Sequence, residues 1–223
     1  MIMTHSDDNG LVLPPKLAPL HIVILPVLHK EEEKANVLQY CERLKKELSS
    51  VLFAGREIRV QIDTRDLRGG EKTWSWVKKG VPLRIEVGPR DIASDSLFVA
   101  RRDTDEKKSI PRTEFIANVP ALLQEIQDNL LARALAYRQA NTTEISSKDD
   151  FYAYFTPQNE KKPEIHGGFA IANYDGSEEV EDMLRKDLKV TVRCIPLEGG
   201  EPTGKCIFTG KDAKYRAVFA KSY

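Results

Sequence analysis

The chain has 223 residues, enough for one or two domains with a buried core. Its 34 Lys plus Arg balance 34 Asp plus Glu, so no overall field attracts nucleic acid, and any basic surface has to be local. No apolar run approaches the roughly 20 residues that span a bilayer, the opening residues do not read as a signal peptide, and Cys41, Cys194 and Cys206 make no even disulfide set. We therefore expect a cytoplasmic protein with no membrane partner.

Residues 1–18, with Pro14 and Pro15 and then Pro19, predict an extended leader. His21 to Val27 is an almost continuous apolar run of the kind that forms strands buried on both faces. Lys30 to Leu48 sets Ala35, Leu38, Cys41, Leu44 and Leu48 at helical spacing, with Lys and Glu opposite. After the turn Ala54-Gly55-Arg56, the alternation of Ile58, Val60 and Ile62 predicts a second strand. Gly69 and Gly70 read as a break. Leu83, Ile85 and Val87 then alternate as a third strand, which puts Arg84 and Glu86 on the side away from the core. Residues 96–101 and 107–111, joined by the polar turn Asp103-Thr104-Asp105, complete a mixed sheet of about five strands.

This interleaving predicts an α/β domain over residues 19–118. Pro120 suits a helix start, and Leu122, Ile126, Leu130 and Leu135 continue a helix to 140, so residues 119–148 read as connecting helix and linker. Residues 149–223 predict a small α+β domain with strands near 167–172, 189–195, 205–208 and 215–221 and a helix near 177–187.

The segment from Trp74 to Asp91 carries the most chemistry. It joins Trp74, Trp76, Lys78 and Lys79 to the strand with Arg84 and Glu86, and then to a Gly-Pro turn ending in Arg90 and Asp91. A guanidinium fork beside a carboxylate reads a base edge as well as a phosphate, and Pro89 restricts the turn that bears Arg90. An ordinary edge strand with solvated charges fits the same pattern. No catalytic set is visible: His5, His21, His29 and His166 are scattered, and no phosphate-cradling glycine loop occurs.

The same segment resembles the signature W-E-x-K-G-V-P-x-R-x-E-x-G-P-[KR]-D of the anticodon-binding domain of prolyl-tRNA synthetases of the archaeal and eukaryotic type. Residues 4–19 resemble that family's exit from the catalytic domain, and residues 204–223 its terminal strands. The resemblance implies the C-terminal part of a class II aminoacyl-tRNA synthetase, with residues 1–18 a remnant of the catalytic domain. It implies an anticodon-binding domain over 19–118 and a C-terminal prolyl-tRNA synthetase domain over 149–223. Carried over position by position, it makes Arg84, Glu86, Arg90 and Asp91 base-reading residues for the proline tRNA anticodon, with Lys107 near a further basic position. Lys72, Lys78 and Lys79 would contact phosphates, and Trp74 and Trp76 would stack on bases or, as we prefer, anchor the loop. Val77 stands where the family commonly has an acid, so Glu86 carries acidic recognition alone or the reading is looser.

In the family, ATP and magnesium serve a catalytic domain that lies before this segment, so the chain alone is expected to be inactive and to hold no cofactor. The parent enzyme is expected to be a homodimer, its RNA partner the proline tRNA anticodon stem-loop, with no role for DNA. Many family members bind zinc through four cysteines. Here Cys194 and Cys206 match one pair, while Asp175 and Val180 occupy the other, so zinc is not expected. Tyr223 corresponds to a terminus that folds toward the catalytic domain in related enzymes, and here it is expected to be exposed. A free-standing interaction module on the same fold is the competing expectation.

Overall fold

A computed structural model describes residues 1–28, 30–159, 161 and 166–222; His29 and the chain end at Tyr223 lie outside the described residues. The chain divides into two compact units, Met1–Ala134 and Leu135–Tyr223.

In the first unit the leader is more than an extended arm, because β1 (Ser6–Asp7) and β2 (Gly10–Leu11) pair antiparallel. The apolar run forms β3 (Ile22–Pro26), with all its residues buried, and leads into α1 (Glu31–Ser49). A two-stranded ribbon follows, β4 (Leu52–Phe53) with β5 (Arg56–Glu57), its turn made by Ala54 and Gly55 at positive φ. Next come β6 (Val60–Ile62), α2 (Gly69–Lys78), β7 (Leu83–Val87), α3 (Pro89–Ala93), β8 (Ser96–Arg101) and β9 (Lys107–Pro111). The long α4 (Arg112–Ala140) closes the unit and runs on into the second.

The five-stranded sheet has the order β6-β3-β7-β8-β9, parallel across its first three strands and antiparallel across the rest. This is the mixed α/β sheet expected. One face supplies Ile22, Ile24, Leu83, Ile85, Leu97 and Val99 to a core filled by Leu44 and Leu48 of α1 and by Phe115, Leu123 and Ile126 of α4. Each such side chain contributes roughly 1.5–3 kcal/mol on burial. The other face is covered in part, where Val23 and Leu25 pack with Trp76 and Val81.

Two helices depart from expectation. Gly69 and Gly70 begin α2 instead of breaking the chain, since the first turn of a helix has free N–H groups and does not need the interior's propensity. Glu71 in the first turn and Lys78 in the last suit the helix dipole. The helix expected at residue 119 begins at Arg112, with Pro120 inside it. Arg112 pins that earlier start through Glu47 at 2.5 Å and Asp95 at 2.9 Å.

The second unit contains β10 (Thr142–Glu144), α5 (Lys148–Phe155), β11 (Phe169–Tyr174), α6 (Glu178–Leu188), β12 (Val190–Cys194) and β13 (Tyr215–Lys221). Its four-stranded sheet has the order β10-β11-β13-β12, and Phe151, Phe155, Tyr174 and Phe219 fill the core with mostly edge-to-face contacts. Helix α5 begins in the stretch read as linker, because Ser147 accepts the backbone N–H of Asp150 and caps it. The strand expected at 205–208 does not form: Cys206 instead sits in a turn, its N–H bonded to the Lys211 carbonyl at 2.8 Å and its carbonyl to Gly210 N–H.

Candidate nucleic-acid interface

Sheet register decides which of the expected residues meet. Arg84 lies between Val23 on β3 and Ala100 on β8, and Ala100 faces Lys107 on β9. Glu86 lies between Leu25 and Phe98, and Phe98 faces Ser109. Arg84, Glu86, Phe98, Lys107 and Ser109 therefore share the sheet face that α2 covers only in part.

Arg84 corrects the expectation of a displayed side chain: it is 3% exposed, beside Val23 where Trp76 and Val81 cover this face of the sheet. Burial pushes its guanidinium pKa down, Asp105 and Glu86 oppose that shift, and neighbouring Arg102 adds to it. Its Nη1 is buried and makes no hydrogen bond among the described residues. An unused donor on a buried cation is costly. Glu86 is half-buried, while Lys107 on the edge strand is exposed.

At the carboxyl ends of β3 and β6 lies a cleft of about 1000 Å³ whose walls include Asp63, Arg65, Lys72, Thr73, Trp74 and Glu86. Crevices at the carboxyl ends of parallel strands are the habitual ligand sites of open α/β sheets. Glu86 belongs both to this cleft and to the open sheet face. Trp76 is an anchor: it is 6% exposed, and its indole N–H donates to Asp63 at 2.7 Å. Arg65 holds the same carboxylate from the other side, at 2.6 Å, and that hydrogen bond chiefly keeps Asp63 well below the usual carboxylate range. Lys79 lies over the Trp76 ring at 4.3 Å, so its ammonium stands at the solvent edge of this assembly. Trp74 is exposed and free to stack, with Lys78 5.5 Å from its ring centre.

The remaining expected residues sit on α3. Asp91 is engaged, its carboxylate accepting the Gly88 N–H at 2.8 Å as a helix cap, which corrects its placement as a free base reader. Arg90 beside it is exposed. Val77, where the family pattern has an acid, is on the buried side of α2. Asp63 and Arg65 were not singled out in the sequence, and Lys72, expected to contact phosphate, is buried with its Nζ donating to the Asp63 carbonyl at 3.4 Å. The signal available was a short strand ending in a charged run before a helix, and the two glycines disguised that helix.

In the second unit, the residues that the resemblance compares with zinc ligands are employed in other ways. Cys194 is exposed, Cys206 is buried, and Val180 belongs to the core. Both oxygens of Asp175 are taken, one by the N–H and hydroxyl of Ser177 at 3.1 and 2.7 Å, the other by the Thr209 hydroxyl at 2.8 Å. Burial acts to raise its pKa, but those hydrogen bonds outweigh it and hold the carboxyl low. Among the described residues no three His, Cys, Asp or Glu side chains converge. Asp175→Ala should destabilise by about 1–3 kcal/mol in calorimetry by stranding the Ser177 and Thr209 donors.

Comparison with known proteins agrees with this architecture. Residues 21–122 match the family described as anticodon binding domain, and residues 159–223 the prolyl-tRNA synthetase C-terminal family. The chain is 54% identical over 229 residues to proline--tRNA ligase 2 of Anaeromyxobacter dehalogenans (strain 2CP-C), covering all of this chain and 45% of that protein. It is 49% identical over 226 residues to proline--tRNA ligase of Protochlamydia amoebophila (strain UWE25), covering all of this chain and 44% of the relative. It is 47% identical over 225 residues to that of Bdellovibrio bacteriovorus (strain ATCC 15356 / DSM 50701 / NCIMB 9529 / HD100), again covering 44% of the relative. The chain thus spans less than half the length of these curated relatives. With both domain types matched in order along one chain, it belongs to the prolyl-tRNA synthetase family, to the part that carries the anticodon-binding and C-terminal domains.

Proposed function

We propose that the first unit reads the guanines of a proline tRNA anticodon on the open sheet face and the adjoining cleft, as the RNA-recognition part of a proline--tRNA ligase. The observation that carries this reading is the buried Arg84 guanidinium with an unused donor, two residues from Glu86 on the same face. Guanine offers O6 and N7 acceptors that a guanidinium can meet, and N1–H and N2–H donors that a carboxylate can meet. Arg90, Lys79 and Lys107 are exposed cations around that pair and suit the phosphates of a splayed loop. Trp74 supplies an exposed ring for stacking.

In this reading the ligation of proline, with its ATP and magnesium, belongs to the catalytic region of the longer enzyme, which works as a homodimer in the cytoplasm. The free thiols of Cys41, Cys194 and Cys206 suit a reducing compartment. Residues 1–223 alone are then an RNA-binding protein without ligase activity.

Titration with a proline tRNA anticodon stem-loop at several salt concentrations, against a stem-loop whose anticodon guanines are replaced, tests the reading. The native loop should bind about 10-fold or more tighter, and the difference should persist as salt weakens both. Equal affinity for the two loops would leave only phosphate contacts. No binding at all would favour a protein-interaction module on the same fold.

A further inference from the structure

The leader segment grips the helix that walls the cleft. Arg102, just past β8, is 1% exposed, and its guanidinium donates to both oxygens of Asp7 at 2.7 and 2.6 Å. The same group donates to the Val77 carbonyl in α2 at 3.1 Å and to the Gly10 carbonyl at 3.3 Å. Its backbone N–H bonds to Pro82 just before β7, at 3.0 Å. One guanidinium thus joins the leader, the end of α2 and the strand pair that carries Arg84.

Backbone packing reinforces the joint. A Cβ on Gly10 would lie 2.6 Å from the Cα of Lys78, and a Cβ on Gly80 would lie 2.6 Å from the backbone of Leu11. Both glycines have positive φ, at 126° and 71°, so side chains are excluded there by conformation as well as by space. The Leu13 N–H closes the contact on the Gly80 carbonyl at 3.1 Å.

The opposite end of α2 brings Gly69, Gly70, Lys72, Thr73 and Trp74 to the cleft. A helix of this length shifts as a rigid piece, so what fixes one end sets the other. Asp7 also compensates the Arg102 charge, which otherwise acts on Arg84.

We infer that the Asp7–Arg102 pair is a positioning device through which the leader sets α2, and with it the RNA cleft, so that holding the leader and binding RNA favour one another. This rests on the function proposed above. Mutual coupling is required if it holds, because linkage between two equilibria is reciprocal.

The test uses the whole chain, the proline anticodon stem-loop, and two variants, Asp7→Asn and Asp8→Asn. The Asp7→Asn change removes the leader's charge at a partly exposed site, and Asp8 next to it is an exposed control. Asp7→Asn is expected to weaken RNA binding about 10-fold relative to Asp8→Asn, with cooperative melting retained. In wild type, RNA should slow hydrogen exchange at the Val12 and Leu13 amides, which bond to His5 and Gly80. A purely structural pair would lower the melting temperature without that RNA-dependent protection. Wild-type affinity in Asp7→Asn, or unchanged exchange at both amides under saturating RNA, would overturn the inference while leaving RNA recognition intact. The exchange measurement needs only wild type, so it decides even if Asp7→Asn fails to fold. Wild type that binds no RNA would overturn both readings together.

Discussion

Asp103→Ala is expected to lower the unfolding free energy of the first unit by about 3–5 kcal/mol, read as a lower urea midpoint with an unchanged slope. The Asp103 side chain is fully buried and takes two parallel hydrogen bonds from Arg101, at 3.0 and 2.9 Å. Asn129 of α4 adds a third at 2.7 Å, and Arg133 bonds the Asp103 carbonyl at 3.1 Å. Removing the carboxylate leaves the Arg101 guanidinium, 7% exposed, with the solvent-facing Glu125 as its only partner among the described residues. Stranding a buried charge is what makes such truncations severe. Asp103→Asn, which keeps the shape and one acceptor, should lose less.

The pH dependence has a definite sign. Burial acts to raise the Asp103 carboxyl pKa, but the bonds from Arg101 and Asn129 outweigh it and leave the pKa lowered. A carboxyl depressed in the folded state stabilises above its unfolded pKa of about 4. That contribution is lost as pH falls through the folded value. The gap between wild type and Asp103→Ala should therefore be full at neutral pH and narrow in acid. The turn at issue also carries Asp105 and leads into Lys107, so the variant should bind the proline stem-loop less tightly even where it remains folded.

The sheet was legible because its strands obey simple patterning. The run at 22–26 is apolar throughout since both faces of β3 are covered, and the alternation at 83, 85 and 87 marks the face turned to α1 and α4. The same alternation misled at Arg84. Period two states which residues share a face, and says nothing of whether that face is open. Trp76 and Val81 close it near Val23, and so the guanidinium beside Val23 is buried. Helix α2 was hidden by Gly69 and Gly70, whose low propensity matters little in a first turn, and its formation follows from the packing of Lys72, Trp76 and Val77. Asp91 was legible as a charged residue and not as a cap, because its bond to Gly88 depends on Pro89 turning the chain into α3. The cleft joins residues from β3, α1, the loop after β6, α2 and β7, and no local pattern records such a meeting.

Arg84→Met is expected to move two measurements in opposite directions. The buried guanidinium has an unused Nη1 and loses hydration without full recompense, so an apolar side chain of similar length should leave folding stability unchanged or raise it by about 1 kcal/mol. Affinity for the proline stem-loop should fall by about 10- to 100-fold, the value of a well-placed guanidinium on a guanine edge. The loop with replaced guanines should bind the variant and wild type alike, so discrimination disappears while the phosphate contribution survives. Arg90→Ala, on the exposed turn of α3, separates the alternatives further. A base contact there would erase part of the discrimination, and a phosphate contact would weaken both loops equally and flatten the salt dependence. If Arg84→Met instead lost stability and kept its RNA preference, the cation would be part of the sheet's packing, and the reading of guanine would have to be placed in the cleft beside Lys72 and Trp74. A residue that costs stability where it stands and is repaid only by a ligand is the arrangement that a stability gain coupled to a binding loss would establish.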